Sequence, residues 1–473
     1  MITTMNEHQK IPIYTNDSSL NIYQNELMNL LAFLKEVHPT FLIDKSLDER
    51  ISLMATDICN QLSDKVQWNL SKFQVWLNRL LVELQDAHSY IPLESSTLYP
   101  FIIRFWEGEF YIHSTIPSQK DTLGKVITHI ANQEISFIHK QLSQWVPSEN
   151  PIKSGISGSY FLNNPSFLEA IGISSSKGML PMTFKDGSQA TFLLEEKPQE
   201  MMTFSSVSHQ ITSPKNVPFH YQIVNDICYF QFNAMIDRLS YQIGCQLMGE
   251  KTEENILASL PNFEEFLKTM YAEIAEKQIQ TLVIDMRYNG GGNSLLGDIL
   301  LETLLPEHIT FRSYQSYQSF VRISNYLKET YSYYSTIATG NNQLANTDTL
   351  PDIKEWKTRK KSGCRFNGEV IFIQGQNTFS SANYLLTTIK DNRLFPIIGS
   401  NTSQRPTCFG DVIPVLLPFT RTKAYISHSY FKRPDSDLDY ETTLHPDIFI
   451  SNSIEEKSKG KDACWDWILS KTL

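Results

Sequence analysis

Between Leu20 and about Leu93 apolar residues recur three and four positions apart, in Leu27, Leu30, Leu31, Phe33 and Leu34 and again in Phe73, Trp76, Leu77, Leu80, Leu81 and Leu84. That spacing lines one face of an α-helix, so residues 1–95 are read as a helical N-terminal region. From Tyr99 the pattern changes to short apolar runs, PFIIRFWEGEFYIHS, KVITHIANQEI and QATFLLEE, divided by clusters of Gly, Pro, Ser and Asn. These are strands and turns, and residues 96–215 are expected to form a small, mostly β domain. From Tyr221 onward strands alternate with helices: YQIVNDICYFQF, a helix over about Phe263 to Lys277, TLVIDMR, a helix after Asn293, EVIFIQG, a helical stretch from about Ser380 to Lys390, and LFPIIG. That alternation predicts an α/β domain over residues 216–473.

A chain of 473 residues exceeds what one core usually organises. Its 41% apolar and 19% charged residues, with 27 Phe and 21 Tyr, describe a folded protein throughout. The net charge of -10 is spread along the chain without a basic stripe, which argues against nucleic acid as a partner. The one basic run, KEWKTRKK from Lys354 to Lys361, reads as a solvated loop. The six cysteines form no CxxC pair or metal-ligand spacing, and reduced thiols fit them best. The start, MITTMNEHQK, lacks the basic and apolar segments of a signal peptide, and no apolar run approaches the roughly 18 residues that span a bilayer. The expectation is a cytoplasmic protein without membrane contact, cofactor or metal.

Three segments could carry chemistry. Asp285-Met286-Arg287-Tyr288-Asn289-Gly290-Gly291-Gly292-Asn293 follows a buried-type strand and precedes a helix. Its glycines let the backbone take positive φ and let a ligand approach the N–H groups, where a helix N-terminus adds unpaired donors. Neither GxxxxGK[ST] nor GxGxxG is present, so an oxyanion site fits better than a phosphate site; the plainer reading is a tight turn. In EVIFIQGQNTFSSANYLL, Ser380 and Ser381 fall between a strand and a helix, where a hydroxyl is exposed beside a free backbone N–H; the plainer reading is an N-cap. In Asp439-Tyr440-Glu441-Thr442-Thr443-Leu444-His445-Pro446-Asp447, a carboxylate could hold an imidazole tautomer or simply be solvated. His88, in Asp86-Ala87-His88-Ser89 at the end of an amphipathic helix, is on position alone a structural histidine.

Taken in order, these segments resemble the tail-specific (C-terminal processing) peptidase family. In that family an LR.NGGG-like loop precedes a serine on a strand–turn–helix, and a glutamate before Pro-Asp closes the domain. Asp86-Ala87-His88-Ser89 resembles the family's D-G-H-T motif, and His38-Pro39-Thr40 its HPN. One branch uses a lysine as base, and that position falls on Arg405, which cannot lose its proton. The resemblance therefore implies the branch that uses His with Glu. It assigns Ser380 as nucleophile, with Asp391 and Gly399 in the positions that follow it in the family. It assigns His88 as general base, and Glu441, in preference to Asp439 and Asp447, as the residue that orients it. Ala87 in place of Gly, and Asn383 where the lysine branch has Glu, are departures that remove no catalytic group.

What the resemblance implies is a ClpP/crotonase-like α/β catalytic domain, with a PDZ-like middle segment whose LGKVITHIANQEISFIHKQL runs strand, turn, strand, helix. It implies hydrolysis of protein or peptide substrates through an acyl-enzyme, with backbone N–H groups of Gly291 or Gly292 and of Ser381 as oxyanion hole. His88 and Ser380 lie in different regions, so docking of those regions, or homodimer formation, is expected to assemble the site. The other class considered is a non-catalytic binder of hydrophobic ligands or peptides on the same scaffold, which has no need of His, Ser and Glu together.

Overall fold

Val, Ile and Leu fill TLVID and EVIFIQ without polar alternation, the pattern of parallel strands covered on both faces. In the computed structural model, which describes residues 9–62, 68–196, 200–204, 209, 211–248, 250–306, 316–347 and 365–472, both segments lie at the centre of a six-stranded sheet. Its order is Phe219–Val224, Ile227–Phe232, Thr281–Asp285, Glu369–Gln374, Ile397–Gly399, Ile448–Phe449. The first pair is an antiparallel hairpin, and every later neighbour is parallel. Asn225 and Asp226 turn that hairpin with φ of 48° and 62°, which short polar side chains tolerate. The helices Phe263–Glu276, Leu295–Leu304 and Ser381–Asp391 pack on one face of the sheet. The C-terminal helix Ala463–Thr472 covers the other through Cys464, Trp465 and Ile468.

The N-terminal periodicity becomes the helices Ile22–Val37, Leu47–Gln61 and Leu70–Leu81. Their apolar faces close on strands from the far end of the chain. A five-stranded sheet, ordered Gln9–Lys10, Cys408–Leu416, Lys423–Lys432, Gln318–Ile323, Gln343–Asn346, shares one core with them, from Leu27, Leu30 and Phe73 to Val321, Ile413 and Ile426. Burying Glu26 at this seam is made tolerable by N–H groups of Phe419 and Thr420 and the Thr420 hydroxyl.

Between these lies a third core. The strands Ile127–Ile130, Gln133–Glu134, Met179–Phe184 and Gln189–Leu193 form one sheet, and Phe101–Trp106, Glu109–Thr115 and Met202–Thr203 another. The strand, turn, strand and helix read in LGKVITHIANQEISFIHKQL are present, the helix being Ile135–Trp145. Two further helices, Pro151–Ser159 and Pro165–Ala170, begin at prolines capped by Asn150 and Asn164, so this segment is more helical than its composition predicts.

The expected ClpP/crotonase-like catalytic domain does not describe the fold. The resemblance implies one layered unit over residues 216–473. The strands Gln318–Ile323, Cys408–Leu416 and Lys423–Lys432 instead leave the parallel sheet and build a second, mainly antiparallel sheet with the N-terminal helices. Among the described residues no helix is long and apolar enough to cross a membrane. The run Lys354–Lys361 and Cys364 lie outside the described residues; the other five cysteines are free.

Candidate active site

Parallel strands deliver the loops that follow them to one edge of the sheet. The loops after Thr281–Asp285 and Glu369–Gln374 therefore meet, and three bonds join them. Phe379 N–H donates to Asn289 O (3.0 Å), Thr378 Oγ1 to Met286 O (2.9 Å), and Ser381 Oγ to Gly292 O (2.7 Å). Ser380 stands at the tip with φ 56° and ψ -129°, immediately before the helix Ser381–Asp391. A non-glycine residue held there stores strain of about 1–3 kcal/mol. The Ser380 side chain does not cap the helix, which removes the plainer reading of this serine. Its backbone N–H is taken by the side chain of Gln404.

The glycine loop is shaped around that serine. Gly291 has φ 98°, and a Cβ on it would fall 2.6 Å from the Ser380 Cβ and 2.9 Å from the Ser381 nitrogen. Gly292 has φ 140°, and a Cβ there would meet Met235 O at 2.2 Å. Asn289 fixes the loop: its Nδ2 donates to Phe232 O and its Oδ1 accepts the Gly291 N–H (2.8 Å). The Gly291 amide is thus already engaged. Arg287, in the same motif, is structural: its guanidinium pairs with Asp285 (2.6 Å) and Asp462 (2.8 Å), tying the loop to the C-terminal helix.

His88 arrives from the N-terminal region on a loop organised by Asp86. That carboxylate is fully buried and accepts from His38 Nε2 (3.1 Å), Ser89 Oγ (2.5 Å) and the His88 N–H (2.9 Å). Burial opposes its charge, but the two imidazoles outweigh burial and hold it well below the usual carboxylate range. The His88 ring lies against Phe379, the neighbour of Ser380, with centroids 4.6 Å apart. Both ring nitrogens are buried without a hydrogen-bond partner, so no bond joins His88 to Ser380. The nearest Asp86 oxygen is 3.7 Å from Nδ1.

A second carboxylate stands beside this histidine. Glu149 accepts from the N–H of Ala87 (3.4 Å) and of Arg405 (2.8 Å). Burial pushes its carboxyl up to about 7, with the His88 charge pulling the other way. Lys153, one turn further on, holds its Nζ 3.6 Å from the centre of the Phe379 ring. Burial lowers its ammonium to about 8 against the opposing pull of Glu149 and Asp86. Asp86, His88 and Glu149 offer ligand atoms within 4.8 Å of one another, the group among the described residues that could hold a metal ion. Both carboxylates already accept protein donors, however, an arrangement better suited to fixing an imidazole than to coordinating a cation.

Glu441 is elsewhere engaged. Its Oε2 accepts from Arg433 Nη1 (2.7 Å), and the same buried guanidinium binds Asp391 (2.6 Å) at the end of the helix that Ser380 precedes. No hydrogen bond links Glu441 to His88. The structure therefore gathers Ser380, Ser381, Gly291 and Gly292 at one point with His88 close behind Phe379, and leaves Glu441 on Arg433. Glu149, Lys153, Asn289 and Gln404 escaped the sequence reading. Asn289 lay inside a motif already singled out, whereas Glu149 follows no periodicity, and only the prolines at 147 and 151 mark its loop as a rigid one.

A strained serine at the start of a helix, set against a glycine loop and near an imidazole, is the arrangement of a serine hydrolase. Residues 248–410, which contain the glycine loop and this serine, match the model of peptidase family S41. The match covers about a third of the chain and makes that part similar to the serine endopeptidases of this family. Among solved structures it is similar to mature CPAF complexed with lactacystin, at 14% identity and a TM-score of 0.63, with 95% of this chain and 97% of that one covered. It is likewise similar to mature CPAF alone, at 14% identity and a TM-score of 0.60, with 95% of each covered. At that identity the likeness is one of fold. It identifies a mixed α/β fold of the S41-peptidase and PDZ type, in place of the ClpP/crotonase-like domain expected. No curated protein sequence matches the chain.

Proposed function

We propose that the chain hydrolyses peptide bonds of protein or peptide substrates through an acyl-enzyme, with Ser380 as nucleophile and His88 as general base. The observation that carries this reading is Ser380 itself, held at positive φ with its side chain withheld from the helix cap and packed against Gly291. The Ser380 hydroxyl adds to the scissile carbonyl as its proton passes to His88. The proton then goes to the leaving amine as the C–N bond breaks, and water, activated by the same imidazole, releases the acyl group. With the Gly291 amide engaged by Asn289, the oxyanion falls to the N–H groups of Gly292 and Ser381, each worth about 3 kcal/mol of transition-state stabilisation. To take that proton, the His88 ring must leave its present contact with Phe379 and bond to the Ser380 hydroxyl. Free thiols at the five described cysteines support action in a reducing compartment such as the cytoplasm.

The test is a fluorophosphonate probe applied to the whole chain. Labelling of the wild type that is lost in Ser380→Ala is expected. Labelling that survives the substitution, or none in a folded wild type, refutes the assignment.

A further inference from the structure

We propose that Glu149, rather than Glu441, is the positioning residue that holds the imidazole of His88. The inference rests on His88 being the base. A general-base histidine requires an acceptor behind one ring nitrogen, to fix the tautomer and to stabilise the imidazolium that forms. Neither nitrogen of this buried ring has a hydrogen-bond partner in the protein, so its acceptor must be sought among the neighbouring carboxylates.

Three carboxylates are available. Asp86 is near, at 3.7 Å, but its oxygens already serve His38, Ser89 and the His88 amide, and these bonds shape the loop rather than the ring. Glu441 is held by Arg433, whose guanidinium also binds Asp391; freeing Glu441 would leave a buried cation short of its partner. Glu149 has an oxygen within 4.8 Å of a His88 ring nitrogen, and its two oxygens accept only backbone N–H groups, which leaves lone pairs for the ring.

Glu149 is also tied to both sides of the site. One bond comes from Ala87, the residue before His88, and the other from Arg405, which follows the Gln404 that holds the Ser380 amide. The next residue, Asn150, caps the helix Pro151–Ser159 and donates from Nδ2 to Thr442 O (2.8 Å), beside Glu441. The middle segment thereby delivers a carboxylate to the place where the resemblance puts Glu441. The charged and titratable groups facing it are His88, Asp86, Lys153 and the Cys408 thiol. Lys153 itself lies over the Phe379 ring.

The experiment measures hydrolysis of fluorescently labelled casein by the full chain against pH, with Glu149→Gln, Glu149→Asp and Glu441→Gln, alongside fluorophosphonate labelling and thermal melting. Glu149→Gln is expected to lower kcat on the order of 10²-fold with little change in KM. It is also expected to move the acid limb of kcat/KM to lower pH, because a neighbouring negative charge favours the imidazolium. Glu149→Asp retains the wild-type limb at an intermediate kcat, and Glu441→Gln leaves kcat within about threefold. A labelled, folded Glu149→Gln with wild-type kcat and limb overturns this inference alone. Absence of labelling in the wild type overturns the hydrolase reading with it. If Glu149→Gln does not fold, Glu441→Gln decides: a comparable loss of kcat there refutes the proposal, and wild-type kcat upholds it.

Discussion

Gly291 and Ser380 approach so closely that a Cβ on the glycine would fall 2.6 Å from the serine Cβ, with Phe379 O and Ser381 N at 2.9 Å on either side. Backbone atoms cannot yield as a flexible side chain would, and φ of 98° strains any L residue. Gly291→Ala is therefore expected to displace the serine turn and lower kcat/KM by at least about 10²-fold. Fluorophosphonate labelling should fall in parallel, while the far-UV circular dichroism stays that of the wild type.

The φ of 56° at Ser380 predicts a stability that runs against function. Ser380→Gly relieves the backbone strain and should raise the unfolding free energy by about 1 kcal/mol, while abolishing labelling. Chemical denaturation of the two proteins measures the difference; a destabilised variant would show that the turn is not strained.

Arg287 is the tether between the glycine loop and the C-terminal helix, pairing with Asp285 and Asp462. Arg287→Ala leaves two buried carboxylates without their cation and should cost about 3–5 kcal/mol in denaturant unfolding. Arg287→Lys should recover only part of it, because an ammonium cannot present the forked donors that reach both acids.

Acid should expose the same tether. Burial opposes ionisation of Asp462, yet the charge and hydrogen bonds of Arg287 hold its carboxyl at about 2. The folded value lies below the roughly 3.9 of an unfolded aspartate, so this contribution is complete above about pH 4 and is lost as the pH falls through about 2. Its size is on the order of 2 kcal/mol. Unfolding measured from pH 6 to pH 2 should show a shallower acid loss in Asp462→Asn than in the wild type.

Arg433 joins Asp391 to Glu441 and has no exposed side-chain surface. Arg433→Met should destabilise the chain by about 3–5 kcal/mol by stranding Asp391. If the resemblance to a catalytic glutamate were the whole story, the Glu441→Gln variant would behave like Ser380→Ala in activity; the ion pair predicts that it will not.

Elements were legible where periodicity is local. The helix Phe263–Glu276 and the strands Thr281–Asp285 and Glu369–Gln374 follow from residue spacing, whereas YQIVNDICYFQF, expected as one strand, is a hairpin turned at Asn225-Asp226. The turn that carries Ser380 follows from spacing as well. Its positive φ was not legible, since no residue type at that position signals it. The interleaving of Leu27 and Phe73 with Val321 and Ile426 escaped because strand pairing over hundreds of residues leaves no local pattern, and the ClpP/crotonase-like expectation, which came with the resemblance, took no account of it. The environment of His88 escaped for a similar reason: Glu149 sits in a polar loop, and its partners Ala87 and Arg405 come from two distant parts of the chain.

The shared core of the N-terminal helices and the strands at 318–346 and 408–432 makes the two ends of the chain one interlocked body. A fragment spanning the glycine loop and Ser380 carries a hydroxyl and amides but no imidazole to accept a proton, and a fragment of the first hundred residues carries the reverse. On the proposed roles, the polypeptide severed between them would yield two inert pieces whose activity returns only on reassociation.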